Sequence, residues 1–394
     1  MNSLDSIDGH AGIPWTNMKP QIPTVTAPSS LRVAQVLPAM DVGGMEMMVL
    51  ALSVALRRAG HDARIICTEH EGQLADQVRD AGVPLKLVPA PGITSLVSPR
   101  QLADHFRGEA FDVVHSHSGV CAKASRAARL AGIPAVLHTR HGIQTPFSAS
   151  DLFFLLLGAV QTDVTIGCSV DVVSFYRRWL PWRSDFTLVE NGIDDAALDR
   201  AVTGPSLREQ CDIPTSARVL GTVARLHPVK NQQLLISALS ALDRSWHLVL
   251  VGEGPLREAL TAQAQSAGLA GRVHFAGRRT VTRALYREFD VFALSSLSEA
   301  MPMTVLESFA SGVPVVAPAV GGLPALLDNG NLGRLYSAGN VLELSAAIQA
   351  TIAGAGATAA QTDRARARFV ERHTVASMTK SYEALYRRVL GVHP

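Results

Sequence analysis

The feature that most constrains the fold is a regular alternation of short β-rich runs with helical segments, which begins at residue 32. In the first half the sequence predicts strands at 32–37, 63–67, 84–88, 112–116, 135–138, 163–167 and 186–189. Most stretches between them have helical spacing; in 45–60, apolar residues recur at helical intervals and Gly60 marks the end. Such alternation predicts a mostly parallel sheet with helices on both faces.

The alternation is interrupted at 190–198, ENGIDDAAL, and then begins again. A second set of strands is predicted at 218–224, 247–251, 273–276, 290–294 and 313–317. The sequence therefore predicts an α/β protein with two Rossmann-like, doubly wound domains that face each other across a cleft. We expect an extension at 1–30 and domains at 31–194 and 195–372.

Composition narrows the classes of function. The chain has 394 residues, 47% of them hydrophobic and 18% charged, which suits two buried cores. A formal net charge of +2 does not favour nucleic acid as a partner, and four scattered cysteines without a CxxC pair favour free thiols in a reducing cytosol. Residues 1–30 contain no apolar core of a signal peptide, so we expect a cytoplasmic protein, soluble or peripheral to a membrane.

Ligands of such sheets bind at the carboxyl ends of the strands, where the sequence places glycines and cations. Gly43 and Gly44 follow the first strand and open a helix, which would let an anion approach the backbone amides; the alternative is an ordinary tight turn. Arg225 and Lys230 precede another helix in the second half, a combination that suits a diphosphate. The alternative there is a solvated surface.

The next strand is followed by VGEGPLREAL. Gly252 and Gly254 are present, but Arg257 occupies the third position of a GxGxxG pattern. A nicotinamide dinucleotide site, and hence a dehydrogenase, is therefore poorly supported. The glycines more plausibly shape a turn at the floor of the cleft.

Two carboxylates flank the start of a predicted helix in SEAMPMTVLE. If Pro302 is the first helical residue, Glu299 lies in the preceding loop and Glu307 lies more than one turn inside. The free amides of the helix start would then lie between them, and we expect them at Met303, Thr304 and Val305. Sugar hydroxyls together with a phosphate fit this arrangement; the alternative is acidic residues that merely favour a helix start.

The stretch from Ser298 onward, SEAMPMTVLESFASGVPVVAPAVGGLPALL, closely resembles the E-x7-E region of retaining glycosyltransferases of family 4, which have the GT-B fold. The resemblance covers nearly the whole chain from residue 32. DVGGMEMMV, FDVVHSHSG, LHTRHG, ENGID, GTVARLHPVKNQQLLISAL and LVLVGEGPLREAL follow in the family's order. It also implies that a final helix, at 373–394, returns to the first domain.

The resemblance implies a role for each residue that matches a family motif. Glu307 would hold the ribose hydroxyls of a nucleotide and Glu299 the hydroxyls of the transferred sugar, while Arg225 and Lys230 would bind the diphosphate and stabilise its charge. The catalytic residues expected are Glu299, Arg225, Lys230 and His141. The residues expected to contact the donor are Gly43, Gly44, Arg225, Lys230, Gly252, Arg279, Glu299, Met303, Thr304, Val305 and Glu307.

Backbone groups around 278–280 are the implied nucleobase site, and His141 would lie beside the sugar or the acceptor. The sequence departs from the family pattern at Ala300, usually glycine, and at Met301, often aromatic, which leaves the identity of the sugar open. Although His115, His117 and His138 could join His141 in a metal cluster, no carboxylate or cysteine lies at ligand spacing. We expect no metal and no cofactor besides the donor substrate.

Two segments are unusual for the family. The helix predicted at 147–160 has one charge, Asp151, and the run at 175–183 mixes aromatic residues with Arg177, Arg178 and Arg183. They form either a buried helix with an ordinary end or an apolar and basic surface that meets the inner face of a membrane or a lipid-linked acceptor.

The reaction that the resemblance implies is transfer of a sugar from a UDP- or GDP-linked donor to an acceptor hydroxyl with retention, in polysaccharide or glycolipid assembly. The leaving diphosphate would help to take the acceptor proton, so no protein base is assigned. Three alternatives stay open: a sugar-nucleotide epimerase of the same fold, a transferase acting on a soluble acceptor, and a non-catalytic sensor of sugar nucleotides. No nucleic acid is expected as a partner.

Overall fold

The computed structural model describes residues 30–92, 94–143, 147–183, 185–201 and 204–392, so the extension expected at the N-terminus lies almost entirely outside the described residues. The elements of the first half are β1 (Arg32–Leu37), α1 (Gly44–Arg58), β2 (Asp62–Cys67), α2 (Ala75–Asp80), β3 (Leu85–Leu87), α3 (Thr94–Val97), α4 (Arg100–Glu109), β4 (Val113–His117), α5 (Cys121–Ala131), β5 (Ala135–Arg140), α6 (Ala149–Ala159), β6 (Val164–Gly167), α7 (Val170–Trp179) and β7 (Phe186–Leu188).

The second half contains more helices than strands. Its elements are α8 (Asp195–Leu198), α9 (Leu207–Gln210), β8 (Arg218–Val223), α10 (Gln232–Leu239), β9 (Trp246–Val251), α11 (Arg257–Ser266), β10 (Val273–Gly277), α12 (Arg283–Arg287), β11 (Val291–Ala293), α13 (Met303–Ser311), β12 (Val315–Pro318), α14 (Leu323–Leu326), β13 (Arg334–Tyr336), α15 (Val341–Ala353), α16 (Ala355–Arg372) and α17 (Val375–Val389). Short 3₁₀ turns lie at Ser118–Val120, Pro228–Lys230 and Asp328–Gly330.

The strands form two separate parallel sheets. The first has the order β3-β2-β1-β4-β5-β6-β7 and the second the order β10-β9-β8-β11-β12-β13. Each sheet reverses its strand order beside its first strand, as in doubly wound folds. The predicted fold class is confirmed, and each predicted strand is present. Only β13 was not predicted, because it has three residues and just one of them is buried.

The cores follow the alternation read from the sequence. In the first sheet, residues such as Val33 and Leu137 face α1 and α17, while Val36 and Val136 face α4 and α5. One apolar cluster also extends from Tyr176 in α7 to Phe309 in α13, so the two halves pack against each other. Burial of apolar side chains between the halves fixes the geometry of the cleft.

The C-terminal helix α17 packs on the first sheet rather than on the second. Tyr382 and Tyr386 are fully buried there in the core that also contains β1. The chain crosses between the halves twice, and the crossings are joined: the amide of Ile193 donates to His373 O at 2.9 Å, and that of Val375 to Ile193 O at 2.9 Å. The described chain therefore ends on the domain where it began.

Among the described residues, no single helix is long and apolar enough to cross a membrane. Taken together, the consecutive helices α15 and α16 have the length and apolar composition of a spanning segment, but they are bent by 97° where they meet. Both helices contribute buried residues to the second half, including Ile348 in α15 and Phe369 in α16.

Candidate functional site

The loops that follow β8 and β11 bring Lys230 and Glu299 together. Lys230 Nζ lies 2.7 Å from Glu299 Oε1, and Ser296 Oγ donates to the same oxygen at 2.6 Å. The Glu299 side chain is 8% exposed and that of Lys230 27%, so solvent screens this pair only in part. The two loops are joined directly, since the Leu297 amide donates to Val229 O at 2.8 Å.

A pair of glycines supports the backbone of Glu299. A Cβ on Gly321, which has φ +50°, would lie 1.9 Å from Glu299 O, and one on Gly322 would lie 1.9 Å from Ala300 O. The Gly322 amide donates to Glu299 O at 3.0 Å. No larger residue fits at either position, so Gly321 and Gly322 help to position Glu299. Neither glycine was singled out from the sequence.

Arg225 lies in the loop after β8, and its side chain is exposed. No partner of its guanidinium is found among the described residues. Its backbone is held firmly: Gln232 Nε2 donates to Arg225 O at 2.9 Å. Gly252, with φ +139°, packs so closely that a Cβ there would lie 2.1 Å from Ala224 O. The role of Gly252 in the structure is therefore to let its strand end pack closely against the loop that carries Arg225.

The start of α13 differs in two details from the sequence prediction. Pro302 has an extended backbone, with φ −69° and ψ 124°, and is the residue before the helix, so α13 begins at Met303. The Val305 amide is not free, because it donates to Pro302 O at 3.2 Å. The free amides expected at the helix start therefore number two, those of Met303 and Thr304, which have no partner among the described residues. Such amides still favour an anion.

Glu307 is held by a residue that the sequence reading missed. The hydroxyl of Tyr286, in α12, lies 2.7 Å from Glu307 Oε2 and 3.1 Å from Thr304 O. Tyr286 is completely buried and Glu307 partly so. Burial raises the pKa of Glu307 to about 7, which the bond from Tyr286 opposes. A tyrosine in a short helix belongs to no motif, so nothing in the sequence beyond its helical context pointed to Tyr286.

The turn after β10, predicted as the nucleobase site, also contacts the first half. Gly277 has φ +68°, and its carbonyl accepts from the Gly252 amide at 2.8 Å. Arg279 is held by residues of the second half: its Nε donates to Ala276 O at 3.0 Å, and its guanidinium bonds to Gln210. Arg278 instead donates to Gln73 Oε1 of the first half at 3.3 Å.

On the opposite wall, Gly43 precedes α1 and Gly44 is its first residue. A Cβ on Gly44 would lie 3.5 Å from Met303 Cγ, so the starts of α1 and α13 approach across the cleft. A Cβ on Gly43 would lie 2.3 Å from Glu46 Oε2. The anion at the start of α1 is thus the chain's own Glu46, whose pKa is raised by burial while the charge of Arg225 acts to lower it.

His141 lies just beyond β5 at the end of a buried chain of hydrogen bonds. His141 Nε2 lies 3.0 Å from His117 Nδ1, and His117 Nε2 lies 2.7 Å from Gln35 Oε1. Gln35 Nε2 donates to the Tyr386 hydroxyl at 3.2 Å. The same hydroxyl lies 2.8 Å from Nδ1 of His115. This series of hydrogen bonds links the cleft to the C-terminal helix α17.

Burial disfavours the charged form of these histidines. Burial lowers the pKa of His115 to about 3 and that of His141 to about 4. His138 bonds to Ser116 instead, with Nδ1 2.9 Å from the hydroxyl. In the described part of the chain, no three His, Cys, Asp or Glu side chains are grouped so that they could hold a metal ion.

The structure therefore brings the predicted residues together in pairs. Lys230 contacts Glu299, Met303 lies against Gly44, and Glu307 contacts Tyr286 rather than another predicted residue. Among the described residues, no hydrogen bond joins the side chain of His141 to the second half. A depression elsewhere, between Asp328 and Glu371, contains none of the predicted residues.

Two family descriptions match successive parts of the chain. Residues 42–197 match "Glycosyltransferase Family 4", and residues 217–354 match "Glycosyl transferases group 1". A putative glycosyltransferase EpsF of Bacillus subtilis is 29% identical over 73% of this chain and 79% of its own length. A D-inositol 3-phosphate glycosyltransferase of Mycobacterium marinum is 28% identical over 89% of this chain and 82% of its own length.

Solved structures show the same fold at low identity. HepE of Anabaena in complex with UDP aligns with a TM-score of 0.80 and 22% identity, covering 91% of this chain and all of HepE. WaaG, a glycosyltransferase involved in lipopolysaccharide biosynthesis, aligns with a TM-score of 0.69 and 16% identity, covering 90% of this chain and 99% of WaaG. Both alignments extend across the two domains.

Proposed function

Because the chain is a glycosyltransferase of the GT-B type, we propose that it moves a hexose from a nucleotide diphosphate-sugar to an acceptor hydroxyl with retention at the anomeric carbon. The observation that carries the proposal is the cluster at the carboxyl edge of the second sheet. There Lys230 and Glu299 are paired at 2.7 Å, Arg225 is exposed in the same loop as Lys230, and two amides without a partner among the described residues open α13. Cations and amides suit a diphosphate, and carboxylates suit hydroxyls.

In this mechanism the bond from the anomeric carbon to the β-phosphate oxygen breaks, and a bond to the acceptor oxygen forms on the same face of the sugar. The acceptor proton passes to the departing phosphate. Arg225 and Lys230 stabilise the negative charge that develops there. Glu299 would exchange its bond with Lys230 for sugar hydroxyls, and Glu307 would accept the ribose hydroxyls. None of these steps uses a metal ion.

UDP is the first nucleotide to test, because HepE, a structural neighbour, was solved with UDP and with UDP-glucose. A panel of UDP, GDP, ADP and their glucose or mannose derivatives should raise the melting temperature only for the true donor, since a ligand that binds the folded state stabilises it. With donor and acceptor, NMR of the new anomeric proton decides retention. An epimerase would instead convert the donor alone, and a sensor would bind the donor without ever releasing nucleotide.

Two classes of acceptor can be separated. The relatives named D-inositol 3-phosphate glycosyltransferase span 89% of this chain and favour testing a soluble phosphorylated polyol. A lipid-linked or glycan acceptor is favoured by an exposed apolar surface formed by α6, α7 and the turn after α7. Phe153 is 58% and Trp182 is 64% exposed on that surface.

The structure divides the segments that suggested membrane contact. Leu155 and Tyr176 are buried, and Arg183 is paired with Asp185, so those parts are structural. Asp151, the single charge of α6, forms a capping box with Ser148. Arg177 and Arg178 are exposed, and among the described residues neither has a partner. These two arginines and the exposed aromatics compose the surface that we propose meets the inner face of the membrane.

Co-sedimentation with anionic liposomes at low and high salt tests the membrane contact. Changing Arg177 and Arg178 to Gln together with Trp182→Ala should release the protein from liposomes, since each basic residue near an anionic surface contributes about 1 kcal/mol. The three side chains are exposed, so the melting temperature should hardly change. Arg107→Gln, an exposed arginine in α4, is the control. Wild type that ignores liposomes even at low salt would contradict the contact and favour the soluble acceptor.

A further inference from the structure

The hydrogen-bond chain behind His141 has a direction that can be read from one amide. Gln35 has a single acceptor, Oε1, and it faces His117 Nε2 at 2.7 Å, while its amide nitrogen faces Tyr386. A carbonyl oxygen can only accept, so His117 Nε2 carries the proton and His117 Nδ1 is a lone pair. That lone pair in turn requires the proton of His141 to lie on Nε2, 3.0 Å away.

We propose that Gln35 and His117 are positioning residues that hold His141 in one tautomer, with an unprotonated Nδ1 that accepts a hydrogen bond from a substrate hydroxyl in the cleft. This inference rests on the proposed function. His141 is partly exposed just past the carboxyl end of β5, and among the described residues its Nδ1 has no partner. By contrast His117 is completely buried, so its proton arrangement cannot be supplied by bulk water.

Burial also keeps this acceptor available. Among the described residues, no carboxylate pairs with His115, His117 or His141. The ring centroids of His115 and His117 lie 4.2 Å apart, and those of His117 and His141 lie 5.2 Å apart. A charged imidazolium is therefore unfavourable in this cluster. A neutral imidazole has one donor and one acceptor nitrogen, so fixing one nitrogen fixes the other. The tautomer of His141 is therefore decided two hydrogen bonds away, at Gln35.

Gln35→Met tests the direction of control. Methionine is similar in length but offers His117 Nε2 no comparable acceptor, and a buried donor left without a partner is costly. The His117 proton should move to Nδ1 and donate to His141 Nε2, which drives the His141 proton to Nδ1 and turns the acceptor in the cleft into a donor. Thr139→Val is the matched control: it removes a hydroxyl that bonds to His115 Nε2 at 2.7 Å in the same buried region and that makes no hydrogen bond to His117 or His141 among the described residues.

The readout is ¹⁵N NMR of the imidazoles in the full chain, with the resonances of His141 assigned by His141→Gln among the 13 histidines. We expect a protonated Nε2 and a bare Nδ1 in the wild type and in Thr139→Val, and the reverse in Gln35→Met. A wild type with the proton on Nδ1, or a Gln35→Met variant with an unchanged tautomer, overturns the proposal. Neither result depends on a donor being bound, so they are distinct from failure of the proposed function.

Activity supplies a second measurement that a merely structural role would not reproduce. With UDP-glucose as the probe and water as the acceptor, release of UDP should fall roughly tenfold in Gln35→Met, the scale of one lost hydrogen bond. The affinity for UDP should stay as in wild type, because the proposed nucleotide contacts lie in the second domain. Titration with UDP and UDP-glucose separates the sources of the hydroxyl: a shift of Nδ1 with UDP-glucose alone assigns it to the donor sugar. If the Nδ1 resonance of His141 shifts with neither ligand, the hydroxyl belongs to the acceptor. Whichever substrate supplies the hydroxyl, the tautomer of His141 decides whether the proposal holds.

Discussion

The two sheet edges that face the cleft occupy equivalent positions in similar folds, yet they are built from different chemistry. The first edge carries neutral groups joined in a buried chain, Gln35, His117 and His141. The second edge carries ions on loops that reach solvent, such as the pair of Lys230 with Glu299. Burial explains the difference, because it lowers the pKa of His141 to about 4, whereas Lys230 remains partly solvated.

This comparison suggests a division of labour. A diphosphate needs cations and free amides, which are stable only where solvent or an opposite charge offsets desolvation. Hydroxyls need neutral donors and acceptors of fixed direction, which a buried network provides. If the division is correct, changes at the second edge should affect charge stabilisation and nucleotide binding, and changes at the first should affect geometry.

The largest expected effect comes from removing a cation. Arg225→Ala and Lys230→Ala should each reduce transfer by roughly 10²–10³-fold, or ~3–4 kcal/mol in the transition state, because each removes a positive charge that stabilises the leaving diphosphate. Steady-state kinetics with the donor identified by thermal shift is the measurement. Arg244→Ala, an exposed arginine just before β9, is the control. Wild-type turnover in both variants would remove the diphosphate from this edge.

The next effect is a dependence of stability on pH that is opposite in sign to that of the first edge, where burial lowers the pKa of His115 and His141 from 6.5 and stability therefore falls as the pH drops below that value. The pKa of Glu307 is raised from 4.5 to about 7 by burial, so the folded state holds its proton more tightly than the unfolded state. This contribution to stability is complete below about pH 4.5 and is lost as the pH rises through 7. It amounts to roughly 3 kcal/mol.

Glu307→Gln tests this assignment in two ways. The variant should lack the part of the pH dependence of the unfolding free energy that Glu307 contributes, roughly between pH 5 and 8, where its carboxyl ionises. It should also bind UDP more weakly than wild type at pH 8, because a neutral amide replaces a charged acceptor. Glu343→Gln serves as a control, since Glu343 is exposed at the start of α15. Equal UDP affinity in the two variants would make Glu307 an ordinary residue of a helix start.

A smaller effect is expected at Tyr286. Tyr286→Phe removes the hydroxyl 2.7 Å from Glu307, which should raise the pKa of that carboxyl further and weaken UDP binding by about 1 kcal/mol. The midpoint of the pH dependence of UDP affinity should move upward. Tyr336→Phe is the matched control, because Tyr336 is also buried and donates to a backbone carbonyl, Leu294 O, at 3.0 Å. A midpoint that stays in place would separate Tyr286 from the function of Glu307.

The smallest effect concerns an acidic group on the first wall, Glu46. Glu46 occupies the start of α1 beside Gly43, where the resemblance implies donor phosphates. Glu46→Gln should tighten UDP binding by roughly two- to fivefold, since it removes a negative charge that competes for the same helix start and for Arg225. Calorimetry is the measurement, with Glu69→Gln, an exposed residue after β2, as control. Weaker binding in the variant would mean that Glu46 is itself a ligand contact.

Much of the fold was predictable because its signals are local. The strand at Arg32–Leu37 was predicted with its observed bounds, and the interruption near 191–195 marks the crossing between the halves. β13 was missed because a strand of three partly exposed residues has no periodicity to read. Helix α13 begins one residue later than predicted, because Pro302 precedes the helix instead of being its first residue. A sequence pattern does not resolve a difference of one residue.

The sequence by itself determined the order of strands and helices, the two domains and the loops that bear Arg225, Lys230 and Glu299, because hydrophobic period and helix-start chemistry act over a few residues. Only the tertiary structure decided which side chains meet. Gln35 contacts Tyr386 across 351 positions, and Tyr286 reaches Glu307 from another helix. Such contacts depend on how parallel strands and covering helices pack together, and packing is a property of the assembled chain that no single stretch of sequence contains.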